Sequence, residues 1–476
     1  MNCRYVLNSI GQILIVFSVS FAFPLSFAYF SSEKIEVFLI PLLLSLSLGV
    51  ILVVTLKERF EELISDREVY TVVAILWLII PGFGSLPFIL SGINPLDAFF
   101  EAFSGFTTTG ATVFVPEELT NSLLLWRSMM QWIGGLGIVV IFLIFLPQMR
   151  KSSALFQAEY PAVLLPKIKP KMREIAVSIF QLYLFLTLAE IIVLYMLGIN
   201  LFDAVAHSFS TISTGGFSTH SESIYYFKDV RVEAAVAFFA FMGGVNFGLI
   251  YALRSKQLRV IADLEFRYYI GFIAISAILL TFLNLSHYSY LESARFSAFQ
   301  AISVVSNTGF TTADFDSWSD GCKMIILTLI LIGGCSGSTA GGMKVIRVVI
   351  LLKYVAHQIA RMVEPKAIKV IRYGDYVVSK ELVEEVVAFF ILYIFIFFVS
   401  SLLLSLLGYD MQTSLSVSAS TISNFGPAFG LGGATENLAN FSPIAKIVLI
   451  FNMWFGRLEI LPVFNFLFSA LRRESW

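Results

Sequence analysis

Four short stretches decide how this chain folds: DAFFEAFSGFTTTGAT (residues 97–112), DAVAHSFSTISTGGFST (203–219), FSAFQAISVVSNTGFTT (296–312) and TSLSVSASTISNFGPAFG (413–430). Each is an apolar piece of about ten residues that runs into Ser, Thr or Asn and then Gly. That is half of the roughly 20 residues needed to cross ~30 Å of hydrocarbon, and it suits a segment that enters a membrane and turns back. Aligned on Gly110, Gly216, Gly309 and Gly426, the stretches place Thr107, Ser213, Ser306 and Ser423 three positions earlier. Thr108, Thr214, Asn307 and Asn424 follow, then Thr109, Gly215, Thr308 and Phe425. One such tip is what small-residue helix packing produces anyway. Four in register, each after a half-span, make an internal repeat of four copies around a pseudo-fourfold axis.

The rest of the chain agrees with a bilayer as its solvent. Of its 476 residues 57% are hydrophobic and 14% charged, with a mean hydropathy of +0.83, far too apolar for a water-soluble enzyme of this length. Apolar runs fall at 10–30, 37–56, 69–90, 123–146, 175–197, 232–253, 268–285, 324–352, 383–407 and 444–471. The run at 10–30 shows no small-residue cleavage site and a second run follows at once, so it reads as a retained span and not a signal peptide. The expected fold is an all-α polytopic membrane protein: a two-helix N-terminal part (1–66), then four helix–pore helix–helix copies at 67–150, 151–258, 259–360 and 361–476. With both termini in the cytoplasm, most of the 32 Lys and Arg residues lie inside, around Lys57–Arg59, Arg150–Arg173, Arg254–Arg267, Lys353–Lys380 and Arg472–Arg473. Glu117, Glu118, Asp314, Asp316 and Asp320 lie outside.

Composition also excludes. A net charge of -1 gives no reason to expect nucleic acid, and Cys3, Cys322 and Cys335 have neither zinc nor disulfide spacing. The four histidines (His207, His220, His287, His357) are scattered, which speaks against an intramembrane enzyme. No strand–glycine–helix nucleotide motif is present. A secondary transporter with inverted repeats would break its helices similarly, but its copies would alternate in direction, and these four all enter from outside.

Extended backbone at membrane depth survives only where it lines a watery cavity. Carbonyl oxygens from four such strands replace the hydration shell of a monovalent cation, and a glycine in each strand permits the backbone angles that aim them. The helix before each strand points the negative end of its dipole at the ion. The fourth strand departs from the others with Phe425 before the glycine and Pro427 after it, so the ring is expected to be asymmetric there, the Phe425 side chain pointing away from the axis. Glu101, His207 and Gln300 share one pore-helix position, with Val417 as the fourth, and read as hydrogen-bonding supports behind the strands. Arg127 and Gln131 read as structural contacts near the outer mouth, and Glu190 as a partner between helices.

Gly333, Gly334, Gly337, Gly341 and Gly342 crowd the second helix of the third copy, where each glycine costs a helix ~1 kcal/mol. Either a loop across the pore or a kinked helix with close neighbours follows; the loop, a gate, fits the need for a wet cavity better. Arg457 lies mid-span, where a guanidinium costs ~2.5–3.5 kcal/mol on insertion scales and must face something polar. The expectation is that it faces the pore, repels cations and holds carbonyls of the glycine loop. Lys344 and Arg347 add positive potential there or serve as ordinary anchors. Glu459, two residues from Arg457, does not share its helix face.

Beyond the four tips, WRSMMQWIGGLGI (126–138), IGGCSGSTAGGMK (332–344) and MWFGRLEILP (453–462) make nearly the whole chain resemble the Trk/Ktr/HKT potassium transporter superfamily, and within it the bacterial TrkH-type membrane subunit. Residues 10–56 look like the extra N-terminal domain of that type. The resemblance implies potassium as the transported ion at the filter residues above, with no cofactor held by this chain. It also implies an intramembrane gate loop, a homodimer, a cytosolic nucleotide-binding regulatory subunit of the TrkA type, and a place in a bacterial or archaeal inner membrane. In HKT-type members a serine for the first filter glycine goes with sodium transport; all four glycines are present here. A sodium-permeable or proton- or sodium-coupled member is the rival reading.

Overall fold

A computed structural model describes residues 3–56, 66–136, 172–254, 263–364, 370–374, 376–433 and 435–458. Among the described residues six helices are long and apolar enough to cross a membrane, at Arg4–Phe30, Glu36–Thr55, Thr71–Leu90, Ala176–Met196, Leu264–Ser286 and Lys380–Leu406. The first two, α1 (Cys3–Ser18) continuing into α2 (Ala22–Phe30) and then α3 (Glu36–Thr55), form the N-terminal hairpin. It closes tightly at Gly11 and Gly49: a Cβ on Gly49 would sit 2.8 Å from the Gly11 carbonyl, the close approach that small residues give membrane helices.

Each of the other four long helices opens one copy of the same unit. The first runs α4 (Asp66–Leu90), α5 (Pro95–Phe106), α6 (Asn121–Gly135); the second α7 (Met172–Met196), α8 (Leu201–Ile212), then α9 (Val230–Gly243) and α10 (Phe247–Arg254). The third runs α11 (Leu264–Leu283), α12 (Tyr290–Val305), α13 (Asp320–Ile332) and α14 (Val345–Val363); the fourth α15 (Lys380–Leu406), α16 (Met411–Ser423) and α17 (Pro443–Arg457). Polar caps start the short helices. Asn94 accepts from Leu96 N, Asn200 from Asp203 N and Asp410 from Thr413 N, while Ser289 and Glu292 form a capping box, each satisfying backbone donors that no helical carbonyl reaches. A two-rung hairpin pairing Arg372 with Val377 and Tyr373 with Tyr376 links the third copy to the fourth.

Two of the expected spans are not continuous. The run 232–253 is broken at Gly244–Asn246 between α9 and α10, and 324–352 is broken from Gly333 to Lys344 between α13 and α14. Both breaks are held by hydrogen bonds that hydropathy does not register. Cys335 N donates to Gly244 O (2.9 Å) and Phe247 N to Gly337 O (3.0 Å), so each break satisfies the other's backbone. The continuations of 123–146 past 136 and of 444–471 past 458 lie outside the described residues. So do Lys57, Arg59, the basic residues from Arg150 to Lys171, Lys256, Arg259, Glu459, Arg472 and Arg473.

Candidate functional site: a fourfold ring of backbone tips with a loop beneath it

The four tips share one backbone. The residue two before each glycine is left-handed, at φ 54° for Thr108 and Thr214 and 55° for Asn307 and Asn424, and Gly110, Gly216, Gly309 and Gly426 follow at φ 81°, 76°, 81° and 102°. The residue before each glycine donates its N–H back to a serine carbonyl of its own short helix: Thr109 to Ser104 (2.9 Å), Gly215 to Ser210 (2.8 Å), Thr308 to Ser303 (2.9 Å) and Phe425 to Ser420 (2.9 Å). Left-handed backbone is uncommon for asparagine and a true outlier for a β-branched threonine, and such strain persists only where the surroundings enforce it. Asparagine at two of these four positions, a residue that tolerates this region, is the sequence signal that would have found the second bend.

The strands also close on one another. A Cβ on Gly110 would overlap the carbonyl oxygen of Gly215, one on Gly216 that of Thr308, one on Gly309 that of Phe425, and one on Gly426 that of Thr109. Each glycine is therefore required twice, for its own φ and for the neighbouring strand. All four line one cavity of about 130 Å³, together with Arg127, His220 and Glu436. Around its rim each copy is tied to the next: Ser221 N and Oγ donate to Glu117 (2.7 and 2.5 Å), Thr311 N to Ser223 Oγ (3.2 Å), Gly430 N to Asp316 (3.0 Å) and Leu438 N to Thr112 O (2.8 Å). Phe425 is wholly buried among apolar side chains of the third and fourth copies, so the bulky residue leaves the strand's backbone in register.

Behind the ring the supports differ. Glu101 accepts from Arg127 Nε (2.8 Å), Val113 N (3.0 Å) and Thr112 Oγ1 (2.9 Å). His207 bonds Ser218 Oγ through Nε2 (3.0 Å) and the Asp203 carbonyl through Nδ1 (2.8 Å). Thr112 and Ser218 stand two residues past their glycines, so both side chains brace the ascending strand. Gln300 does not: neither of its amide atoms has a hydrogen-bond partner among the described residues, and the expectation of a polar support fails in the third copy. Gln131 has a larger part than its type announces. From α6 its Nε2 donates to Gly215 O (2.6 Å) and its Oε1 accepts from Phe217 N (3.0 Å) in the next copy. Glu190 is wholly buried in α7, which packs on the second short helix.

Beneath the ring lies the segment from Gly333 to Lys344. It is not helical; Gly333, Gly337 and Gly342 take φ 75°, 72° and 78°, and Lys344 φ 76°. A Cβ on Gly341 would overlap the Ser423 carbonyl of the fourth strand, and one on Gly334 would press on Ala340 2.6 Å away within the loop. Thr339 Oγ1 donates to Ile212 O (3.0 Å) and Gly243 O (3.1 Å). Arg457, in the last turn of α17, spans the junction. Its Nη1 donates to Thr339 O (3.0 Å) and Thr108 Oγ1 (3.1 Å) and its Nη2 to Gly134 O (2.6 Å). One guanidinium thus touches the loop, the first strand and the end of α6. Lys344 Nζ donates to Ala340 O (2.5 Å), inside the loop, and Arg347 lies 4.2 Å over the Phe389 ring.

Four short helices, each running into a strand whose glycine packs on the backbone of the next, set among bilayer-length helices, define a polytopic membrane protein. A family model described as TrkH, cation transport protein, matches residues 35–472. The chain is 36% identical over 487 aligned residues to the Trk system potassium uptake protein TrkH of Salmonella typhimurium, covering 100% of both chains. It is 34% identical to the Trk system potassium uptake protein TrkG of Escherichia coli, over 97% of each. The crystal structure of the potassium transporter TrkH from Vibrio parahaemolyticus superposes with a TM-score of 0.89 at 32% identity, covering 99% of this chain and 100% of that one. The protein belongs to the TrkH family of cation transport proteins.

Proposed function

We propose that this protein takes up potassium through the ring of four strands, in a cell membrane of the bacterial or archaeal inner-membrane type with both termini cytoplasmic. The observation that carries the reading is the closed relation among Gly110, Gly216, Gly309 and Gly426, each packed on the backbone of the next strand around one cavity. Four aligned strands supply carbonyl oxygens in place of an ion's hydration shell. The ion sites we assign are the backbone of residues 107–110, 213–216, 306–309 and 423–426. The segment from Gly333 to Lys344 acts as the gate and Arg457 as its electrostatic and hydrogen-bonding lock. The division at residues 66, 150, 258 and 360 into an N-terminal part and four repeats follows the same reading. As relatives named for a Trk system suggest, the chain works with other subunits, in our reading as a homodimer on a cytosolic nucleotide-binding ring of the TrkA type.

Rubidium-86 uptake into liposomes holding the purified protein tests this, with excess potassium or sodium as competitor and Gly110→Ser alongside. Uptake blocked by potassium and spared by sodium, with that preference lost in Gly110→Ser, supports the filter. Uptake insensitive to competitor and mutation removes it. Comparable block by sodium favours the sodium-permeable reading instead.

A further inference from the structure

Helix α14, which leaves the glycine loop, begins without a local cap: Lys344 precedes it in left-handed conformation and its side chain makes no capping bond. The cap comes from elsewhere. Glu265, the second residue of α11, is wholly buried, and its Oε1 accepts from Ile346 N (3.2 Å) in the first turn of α14 and from Ser336 N (2.7 Å) in the entering arm of the loop. One carboxyl oxygen therefore holds both arms, by hydrogen bonds to backbone donors at the positive end of a helix. The backbone N–H of Glu265 in turn donates to Tyr373 Oη (2.8 Å), a buried side chain on the hairpin between the third and fourth copies. Arg457 holds the loop from the filter side; Glu265 holds it from the other.

We infer that Glu265 is a positioning residue of the gate, the latch that keeps residues 333–344 beneath the ring, and that Tyr373 transmits displacement of the hairpin to it. The inference rests on the reading of that loop as a gate. It follows from connectivity: moving the hairpin moves the start of α11, and with it the one oxygen that bonds to both arms of the loop. Among the described residues the hydrogen bonds of Glu265 and Tyr373 go to the loop, α14 and each other and not to the four strands, so selectivity is expected to be independent of the latch.

The test compares wild type with Glu265→Ala, Glu265→Gln and Tyr373→Phe, all carrying Cys3→Ser and Cys322→Ser so that Cys335, buried in the loop, is the sole thiol. Two quantities are read in liposomes without any partner: rubidium-86 flux with its potassium-over-sodium competition, and the rate at which a permeant maleimide labels Cys335. Glu265→Ala is expected to raise flux and labelling about tenfold, the scale of one net hydrogen bond, at unchanged competition. Glu265→Gln keeps an acceptor oxygen and falls between, and Tyr373→Phe shifts both quantities in the same direction by less. Labelling and flux at wild-type values in all three variants overturn the latch, as does a loss of selectivity that tracks the flux. Should Glu265→Ala not fold, the glutamine and phenylalanine variants decide by the same readings. A wild type with no potassium-blocked uptake defeats the filter reading, while Cys335 labelling still reports on the latch.

Discussion

Gln131, on the returning helix of the first copy, brackets Gly216 of the second: its amide nitrogen donates to the carbonyl before that glycine and its amide oxygen accepts from the N–H after it. The strand is thus held at the spacing of one side-chain amide. Gln131→Ala removes both bonds, each worth about 0.5–1.5 kcal/mol net. Sodium is then expected to compete two- to tenfold better for rubidium uptake, with little change in protein yield. Competition curves against graded sodium check it.

Arg457 satisfies carbonyls of two different segments and a threonine hydroxyl at once. On the proposed gate reading, Arg457→Ala is expected to raise basal potassium flux several-fold by freeing Thr339 and removing a positive charge beside the loop. Arg457→Lys restores only part of the block, since a compact ammonium does not reproduce the spread of a guanidinium fork. Flux in partner-free liposomes, with both variants at matched protein density, decides it.

Glu101 and Arg127 form a wholly buried pair at 2.8 Å, and the guanidinium also lies 4.3 Å over the Phe217 ring. Removing one member of a buried pair leaves an uncompensated charge, at a cost of about 3–5 kcal/mol. Glu101→Ala is therefore expected to lower the unfolding temperature in detergent sharply, and Glu101→Leu/Arg127→Met to recover part of that loss. If the double variant is no better than the single, the pair is not what destabilises.

At the rim, burial pushes the Glu117 carboxyl up, but the hydrogen bonds from Ser221 Oγ and N–H outweigh it and hold the group below its usual range. A carboxyl depressed in the folded state adds stability that is full above its ordinary pKa and fades as pH falls through the depressed value. Wild type is expected to unfold at a higher temperature than Glu117→Gln at pH 7, the gap closing as acid protonates Glu117. A gap that persists in acid contradicts the assignment.

Much of this was legible in the sequence. The glycine-anchored tips are a length-and-register signal, strong because four copies repeat it, and the crowding of five glycines between Gly333 and Gly342 forecast the non-helical segment. A guanidinium in an apolar run had to find carbonyls, and Arg457 finds that of Thr339. The break at Gly244–Asn246 escaped because a hydropathy window counts apolar residues and ignores backbone partners; the adjacent pair Gly243–Gly244 before Asn246 was the available hint. Glu265 escaped for a related reason, since a charged residue at the edge of a span looks like an ordinary flank until its acceptors' partners, 71 and 81 residues away, are known. Gln300 misled because equivalent positions in diverged copies need not keep equivalent contacts.

The closed relation of four strands is made by one continuous polypeptide, and that frees each quadrant to differ. A ring of four identical chains with an arginine at the position of Arg457 would place a guanidinium beneath each of the four strands, where like charges in a poorly screened interior repel strongly. Covalent linkage lets a single quadrant carry the arginine and another the glycine-rich loop, while Gly135 and Gly244 sit tightly against Ser213 and Ser306 of the following strands. The imperfect symmetry of the fold is what lets one quadrant set a guanidinium between the loop and the first strand without three copies of it alongside.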